Sequence, residues 1–188
     1  MERKAEQLRN VAFVGHGGSG KTSLAEAILF DGKSTTRLGS VDDGTSSLDF
    51  EPEEIKRKIT ISTAFYHAKW KKQMINIIDT PGDDNFLSDT RFCLQAADGV
   101  VVVIEATGGV KVGTEKVWGF ADEQALPRII FINKMDRERA DFFKVLDEAA
   151  RTFEIRATPI YLPVGSEEEF SGLVDLVRMK AVSYTHLR

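Results

Sequence analysis

The chain has 188 residues, of which 42% are hydrophobic and 29% are charged, and its formal net charge is -4. This composition is typical of one soluble globular domain and argues against disorder over most of the chain. The acidic balance argues against direct DNA binding, because phosphate contacts need clustered Lys and Arg. Cys93 is the only cysteine and no apolar run approaches membrane-spanning length, so we predict a cytoplasmic protein with no membrane partner.

The first predicted elements are a strand, a loop and a helix. Residues 11–15, VAFVG, form a short apolar run that ends in glycine, and apolar residues recur at helical spacing over 21–30. Residues 31–58 are rich in Gly, Ser, Thr and charge, without sustained periodicity. A segment of that length is usually functional, so we expect a flexible nucleotide-sensing loop there.

The rest of the chain alternates apolar runs with stretches of helical periodicity. The predicted strands are residues 60–70, 73–79, 99–106, 127–133 and 158–164, the first two joined by a tight turn. The predicted helices are residues 110–123 and 140–153. This order predicts an α/β fold with a mostly parallel sheet and helices on both faces.

A glycine-rich string follows the first predicted strand. GHGGSGKT matches the pattern of glycine, four residues, glycine, lysine and then serine or threonine, in the required position before a helix. Its glycines let backbone N–H groups turn toward phosphates, Lys21 contacts the β- and γ-phosphates, and Thr22 ligates Mg²⁺. We assign no acid–base role to His16. The predicted nucleotide-binding residues of this loop are Gly15, His16, Gly17, Gly18, Ser19, Gly20, Lys21 and Thr22.

A second string, NIIDTPGDD, places Asp79 at the end of an apolar strand and follows it with a turn that ends at Gly82. An aspartate in such a position is commonly only a cap or turn residue. Downstream of a phosphate loop, however, it favours a carboxylate that supports Mg²⁺ and a backbone that senses the γ-phosphate. We therefore add Asp79 and Gly82 to the predicted nucleotide site.

The third string, FINKMD, follows another apolar strand. Asn133, Lys134 and Asp136 are its polar members. The Asp136 carboxylate can accept hydrogen bonds from N1–H and the 2-amino group of guanine, a donor pair that adenine lacks. The string alone is usually a turn, but one strand beyond the acidic motif it favours GTP and GDP as ligands. A P-loop ATPase or kinase is the weaker alternative, because NKMD would then have no purpose.

Taken together and in order, GHGGSGKT, KRKITIS, DTPG and NKMDR resemble the translational GTPases, and NKMDRERADF is most similar to elongation factor G. The resemblance extends to about Ala181. It implies a P-loop NTPase G domain that binds GTP or GDP with Mg²⁺, a ribosome partner for the full-length protein, and a monomer. It also implies that Thr60 closes on Mg²⁺ and the γ-phosphate, which makes Thr22, Thr60 and Asp79 the metal residues.

The sequence departs from the family pattern at three places. Asp83 stands where a histidine usually orients the attacking water, Gly17 and Gly18 replace an apolar residue and Asp, and Lys58 replaces a glycine. A carboxylate at position 83 brings negative charge toward an anionic transition state. We predict a GTP-hydrolysing switch of an elongation factor G-like protein that acts in translocation or a related ribosomal step, with Lys21, Thr60 and Asp83 as catalytic residues. The alternative is a GTP-binding module with slow or no hydrolysis.

The predicted domain organisation has three parts. Residues 1–157 form the GTP-binding core, residues 158–182 begin an insertion subdomain, and residues 183–188 are a non-native tail. The resemblance implies a domain truncated at its C-terminal end, before the serine–alanine loop that finishes the guanine pocket in this class.

Overall fold

The structure, a computed structural model, describes residues 4–184. The helices are α1 (Lys21–Asp31), α2 (Pro52–Arg57), α3 (Leu87–Cys93), α4 (Val112–Glu123) and α5 (Phe142–Thr152). The strands are β1 (Leu8–Val14), β2 (Ala64–Trp70), β3 (Gln73–Asp79), β4 (Gly99–Glu105), β5 (Arg128–Asn133), β6 (Tyr161–Val164), β7 (Gly172–Asp175) and β8 (Lys180–Ser183). Within residues 4–184, no helix has the length and apolar character needed to cross a membrane.

Five strands form one sheet in the order β2, β3, β1, β4, β5. Strand β1 is parallel to β3 and to β4, and β2 is antiparallel to β3. In the β1–β3 register Phe13 lies opposite Asp79, so the carboxyl ends of these two strands meet at one edge of the sheet. Loops that leave this edge are where α/β proteins bind ligands, and the glycine-rich string begins here.

The main apolar core joins α1 to this sheet. Its buried side chains come from α1, from four strands and from the segment between α1 and α2; they are Phe13, Ala25, Leu29, Leu48, Ala64, Ala68, Ile77 and Val103. Leu48 is 1% exposed although it belongs to the segment that the sequence marks as polar. Burying a leucine side chain contributes about 2 kcal/mol, so this residue ties the segment to the domain.

The segment at 31–58 is more ordered than the sequence predicts, because it contains α2. Pro52 occupies the first turn, and Glu51 and Glu54 form a capping box in which each reaches the backbone of the other. Acidic residues in the first turn and basic residues in the last turn also suit the helix dipole. The expectation of an unstructured loop is therefore wrong at Pro52–Arg57, since six residues are too few to show periodicity.

The chain divides into two compact units. One takes the residues up to Val103 together with Val112–Phe131, and the other takes Ile104–Lys111 and the residues from Ile132 on. The second unit contains α5, an antiparallel sheet in the order β6, β7, β8, and a small apolar cluster around Met135. The predicted boundary at residue 157 stays a prediction. Of the predicted tail, Ser183 pairs with Gly172 in this sheet, and residues 185–188 lie outside the described residues.

Lys58 ends α2 in a conformation that glycine adopts more readily. Its φ of 57° and ψ of 39° are left-handed, and its N–H donates to the Glu54 carbonyl oxygen. A left-handed conformation costs an L-residue about 1–2 kcal/mol, which gives a physical reason for the family's glycine at this position.

Lys58→Gly is expected to raise the free energy of unfolding by about 0.5 kcal/mol, because relief of the backbone strain exceeds the added chain entropy. Lys58→Val should lower it by about 1–2 kcal/mol, since a branched side chain tolerates positive φ poorly. Urea denaturation measures both changes. Lys56→Gly, inside α2, is the control and should be destabilising. If Lys58→Gly lowered the free energy of unfolding as much as Lys56→Gly does, the left-handed backbone at residue 58 would not be a source of strain.

Candidate nucleotide-binding site

The loop between β1 and α1 has the backbone that the glycine-rich string predicts. Gly15 has a φ of 145°, and a Cβ on it would collide with the Val103 carbonyl oxygen. Gly20 caps α1 in a left-handed conformation with a φ of 91°. The first turn of α1 therefore presents its unpaired N–H groups at the loop, which is the arrangement that binds phosphate at a helix N-terminus.

Lys21 is buried at the centre of this loop. Its Nζ donates to the carbonyl oxygens of Gly15 and His16, both at 3.1 Å. Burial lowers the pKa of Lys21 to about 8, while the carboxylates of Asp79 and Asp49 oppose that shift. A buried ammonium group that donates to backbone carbonyl oxygens is well placed to gain from a bound anion.

The turn after β3 meets the same loop. A Cβ on Gly82 would collide with Lys21 Nζ and would lie 2.7 Å from the Gly15 carbonyl oxygen, so only glycine fits there without movement. The Thr80 hydroxyl donates to the Phe13 carbonyl oxygen at 2.7 Å and fixes the turn to β1. Two strings that are far apart in sequence thus form one surface.

Two threonine hydroxyls and two carboxylates meet beside Lys21. Thr22 Oγ1 donates to Asp79 Oδ2 at 2.7 Å, and Thr60 Oγ1 donates to Asp49 Oδ1 at 2.9 Å. The two hydroxyl oxygens are 3.0 Å apart. When each hydroxyl gives its proton to a carboxylate, the two oxygens face each other through lone pairs, and a cation would stabilise that arrangement.

Each of the two carboxylates has one oxygen that accepts a hydrogen bond and one that, among residues 4–184, does not. Within the part of the chain that the structure describes, Asp79 Oδ1 and Asp49 Oδ2 are buried without a hydrogen-bond partner. Burial raises the pKa of Asp79 to about 7, against the hydrogen bond from Thr22 and the charge of Lys21. Burial also raises the pKa of Asp49. Both shifts have the direction expected of carboxyl groups that burial removes from water.

These groups fit Mg²⁺ held together with phosphate. Hydroxyl and carboxylate oxygens are the ligands that Mg²⁺ prefers, and it is commonly bound through one or two carboxylates plus substrate phosphates. Between residues 4 and 184, no three or more His, Cys, Asp or Glu side chains group to hold a metal by themselves. A metal here would therefore depend on oxygens of a bound nucleotide as well.

Two of the predicted site residues, His16 and Asp83, make hydrogen-bond contacts with residues near them in the sequence. His16 is buried, and its Nδ1 lies 2.6 Å from the Gly17 carbonyl oxygen. Asp83 is half-buried, and its Oδ1 accepts from Asn85 N at 2.9 Å and from Asn85 Nδ2 at 2.8 Å. Asp83 thereby caps the short 3-10 helix Asp84–Phe86, a role that a carboxylate performs well.

The string NKMD forms a turn in the second unit. Asn133 is the last residue of β5, and its carbonyl oxygen accepts from Ala106 N at 2.8 Å. Lys134 has a φ of 63°, and its Nζ lies 3.0 Å from Glu105 Oε2. Met135 is buried and Asp136 is exposed. The Met135 side chain therefore anchors the turn, and the Asp136 carboxylate faces solvent.

In the first unit the structure brings together the loop 15–22, Thr60, Asp79 and Gly82. Asp49 joins them without having been predicted. A single aspartate in a polar segment carries no pattern, and its partner Thr60 is eleven residues away. Residues Asn133, Lys134 and Asp136 share one turn of their own unit.

Comparison with known proteins agrees with this geometry. Residues 6–185 match the sequence model of the elongation factor Tu GTP-binding domain. The chain belongs to this family. It therefore shares the family's general character as a translational GTPase domain, and the prediction of an elongation factor G-like member is confirmed.

Individual relatives support the same assignment. Elongation factor G 2 of Treponema pallidum (strain Nichols) is 41% identical over 179 residues, which cover 95% of this chain and 26% of the relative. Elongation factor G of Granulibacter bethesdensis is 41% identical over 177 residues, with 94% and 26% covered. The chain thus spans about a quarter of the length of these relatives.

A solved structure confirms the fold class. A crystal structure of a protein from Thermus thermophilus superimposes with a TM-score of 0.90 at 34% sequence identity. The match covers 96% of this chain and 27% of that chain. The predicted α/β P-loop fold of the G-domain kind is therefore confirmed.

Proposed function

We propose that this chain, a member of the elongation factor Tu GTP-binding domain family, is the GTP-binding, GTP-hydrolysing switch of an elongation factor G-like protein. The observation that carries the proposal is the meeting of Lys21, Thr22, Thr60, Asp79 and Gly82 around one phosphate loop. These groups supply a buried cation for phosphate, oxygens for a metal, and backbone from two separate segments. Together they meet the needs of a nucleoside triphosphate bound with its metal ion.

Each residue of the phosphate site has a distinct task. Lys21 Nζ would bind the β- and γ-phosphates, and the hydroxyls of Thr22 and Thr60 with the Asp79 carboxylate would hold Mg²⁺. Backbone N–H groups of Gly15–Gly20 surround the phosphates. Bound Mg²⁺ neutralises the negative charge that develops on the phosphate oxygens.

The switch consists of the two segments that meet this loop. Thr60 follows α2, and Gly82 lies in the turn after β3, so each can report whether a γ-phosphate is bound. GTP would hold both segments closed, and hydrolysis would release them. Asn133, Lys134 and Asp136 would select guanine, with the exposed Asp136 carboxylate as the acceptor for N1–H and the 2-amino group.

The full-length protein, by this proposal, works on the ribosome in translocation or a related step. The support is that its relatives are elongation factors G. A cytoplasmic monomer that does not bind DNA directly remains our expectation for it.

A second candidate function is a GTP-binding module that hydrolyses slowly or not at all. The contacts of Asp83 favour it, because Oδ1 is engaged by both nitrogens of Asn85. An engaged carboxylate is a poor base for a water molecule, and its charge opposes attack on phosphate.

Nucleotide selectivity tests the main proposal. A fluorescent GDP analogue bound to the chain in Mg²⁺ buffer is expected to be displaced by excess GTP or GDP but not by ATP. Asp136→Asn should weaken guanine nucleotides about tenfold or more, because an amide nitrogen replaces one acceptor oxygen. Asp147→Asn, an exposed residue on α5, is the matched control. Equal displacement by ATP would contradict guanine selection.

Turnover separates the two candidates. Asp83→His in the full-length protein is expected to raise ribosome-stimulated GTP hydrolysis about tenfold or more if Asp83 limits catalysis, since a positioned base contributes at least that much. Asp83→Asn keeps the capping oxygen and removes the negative charge, so it should raise hydrolysis less than Asp83→His, because it relieves the electrostatic opposition without supplying a base. A wild-type rate of GTP hydrolysis that is already fast, and that Asp83→His leaves unchanged, would reject the candidate function of a GTP-binding module with slow or no hydrolysis.

A further inference from the structure

Glu26 is a fully buried carboxylate that the phosphate site itself does not use. It lies on α1, four residues after Thr22, and is 0% exposed. Its Oε1 accepts from Ser46 Oγ at 2.9 Å, from Leu48 N at 3.2 Å and from Ser47 N. Burying a charge is costly unless donors surround it, and here every donor comes from one short stretch of the segment between α1 and α2.

The other carboxylate oxygen faces Gly39, which belongs to the same segment. A Cβ on Gly39 would lie 2.5 Å from Glu26 Oε2, 2.6 Å from Cδ and 3.0 Å from Oε1. These three atoms are the nearest that such a Cβ would meet, and Gly39 is itself buried. The segment therefore passes Glu26 twice, with donors on Oε1 and close backbone at Oε2, which has no hydrogen-bond partner among the described residues.

The contacts of Glu26 continue to Thr60. Leu48, whose N–H donates to Glu26, is followed by Asp49, and the Asp49 carboxylate accepts from Thr60 Oγ1 at 2.9 Å. On the other side of Thr60, Glu54 Oε1 accepts from Ile61 N at 2.8 Å and from Ser62 N at 2.9 Å. Buried carboxylates thus fix the chain both before and after the switch threonine.

We propose that Glu26 is a positioning residue that couples the phosphate-loop helix to the segment carrying Thr60. The proposal rests on the proposed switch function and deepens it. Helix α1 begins with the phosphate-binding Lys21 and Thr22, so the same rigid element that holds the phosphates also holds the segment that senses them. An alkyl side chain would remove the acceptor of Ser47 N and would leave Leu48 N only its 3.1 Å hydrogen bond to Ser46 Oγ.

Amide hydrogen exchange tests this coupling directly. Glu26→Ala is expected to speed exchange at Ser47 about tenfold or more in the nucleotide-free chain, because its acceptor is lost. Exchange at Leu48 should change less, because Leu48 N also donates to Ser46 Oγ. Glu26→Gln keeps one acceptor oxygen and should retain intermediate protection. Asp31→Asn, an exposed carboxylate on the same helix, is the matched control. Exchange in β3 reports whether the domain remains folded.

The affinities for a GTP analogue and for GDP distinguish a positioning role of Glu26 from a general contribution to folding, because only a positioning role changes one affinity more than the other. With Mg²⁺, Glu26→Ala should weaken a non-hydrolysable GTP analogue about fivefold or more while changing GDP affinity less than about twofold, since only the closed segment meets the γ-phosphate. Equal loss for both nucleotides would overturn the proposal. If the wild-type chain bound no guanine nucleotide, the proposed function would fail, and the exchange results would still show whether Glu26 holds the segment.

Gly39→Ala keeps the experiment decisive even if Glu26→Ala unfolds. The added methyl group meets the Glu26 carboxylate, so it should loosen the segment in the wild-type background. In the Glu26→Ala background the same change should add little, because the obstructing atoms are gone. When that background cannot be measured, Gly39→Ala and Glu26→Gln must each raise exchange at Ser47. Exchange at the wild-type rate in both variants would reject the coupling. Where the double variant can be measured, full additivity of the two changes would reject it as well.

Discussion

The hydrogen bond from Thr22 to Asp79 joins the two halves of the phosphate site. Thr22 opens α1 and Asp79 ends β3, so a single 2.7 Å contact fixes the helix against the carboxyl edge of the sheet. It also leaves the second oxygen of a buried carboxylate without a partner, and burial raises the pKa of Asp79 to about 7. Bound Mg²⁺ would add positive charge beside that oxygen, so metal binding and folding stability would be linked at this contact.

Much of the site could be predicted from sequence because its chemistry is local. The loop Gly15–Thr22 needs glycines, a lysine and a helix start within a few residues, and strand patterns predict where that loop emerges. Asp79 follows the same logic, since parallel strands place their carboxyl ends together. The contact of Gly82 with Lys21 agrees with this reasoning, although neither string alone shows that the two approach within van der Waals distance.

The features that could not be predicted from the sequence depend on tertiary contacts or belong to very short helices. Asp49 and Glu26 are ordinary acidic residues until the fold brings Thr60 and Leu48 to them. Helix α2 is too short for periodicity, and its capping box becomes visible only once Glu51 is seen outside the helix. The role of Thr60 is an expectation from the resemblance to translational GTPases, whereas its hydrogen-bonded neighbours are seen in the structure. Position 83 shows the limit of analogy, because the carboxylate there caps its own turn.

The most direct test of the account is a crystal structure of the chain with Mg²⁺ and a non-hydrolysable GTP analogue. The account predicts a metal in contact with the hydroxyls of Thr22 and Thr60, with Asp79 beside it, and Lys21 Nζ moved from the carbonyls of Gly15 and His16 to phosphate oxygens. A nucleotide bound elsewhere, or one bound while Thr22 and Lys21 kept their present partners and no metal joined them, would contradict it.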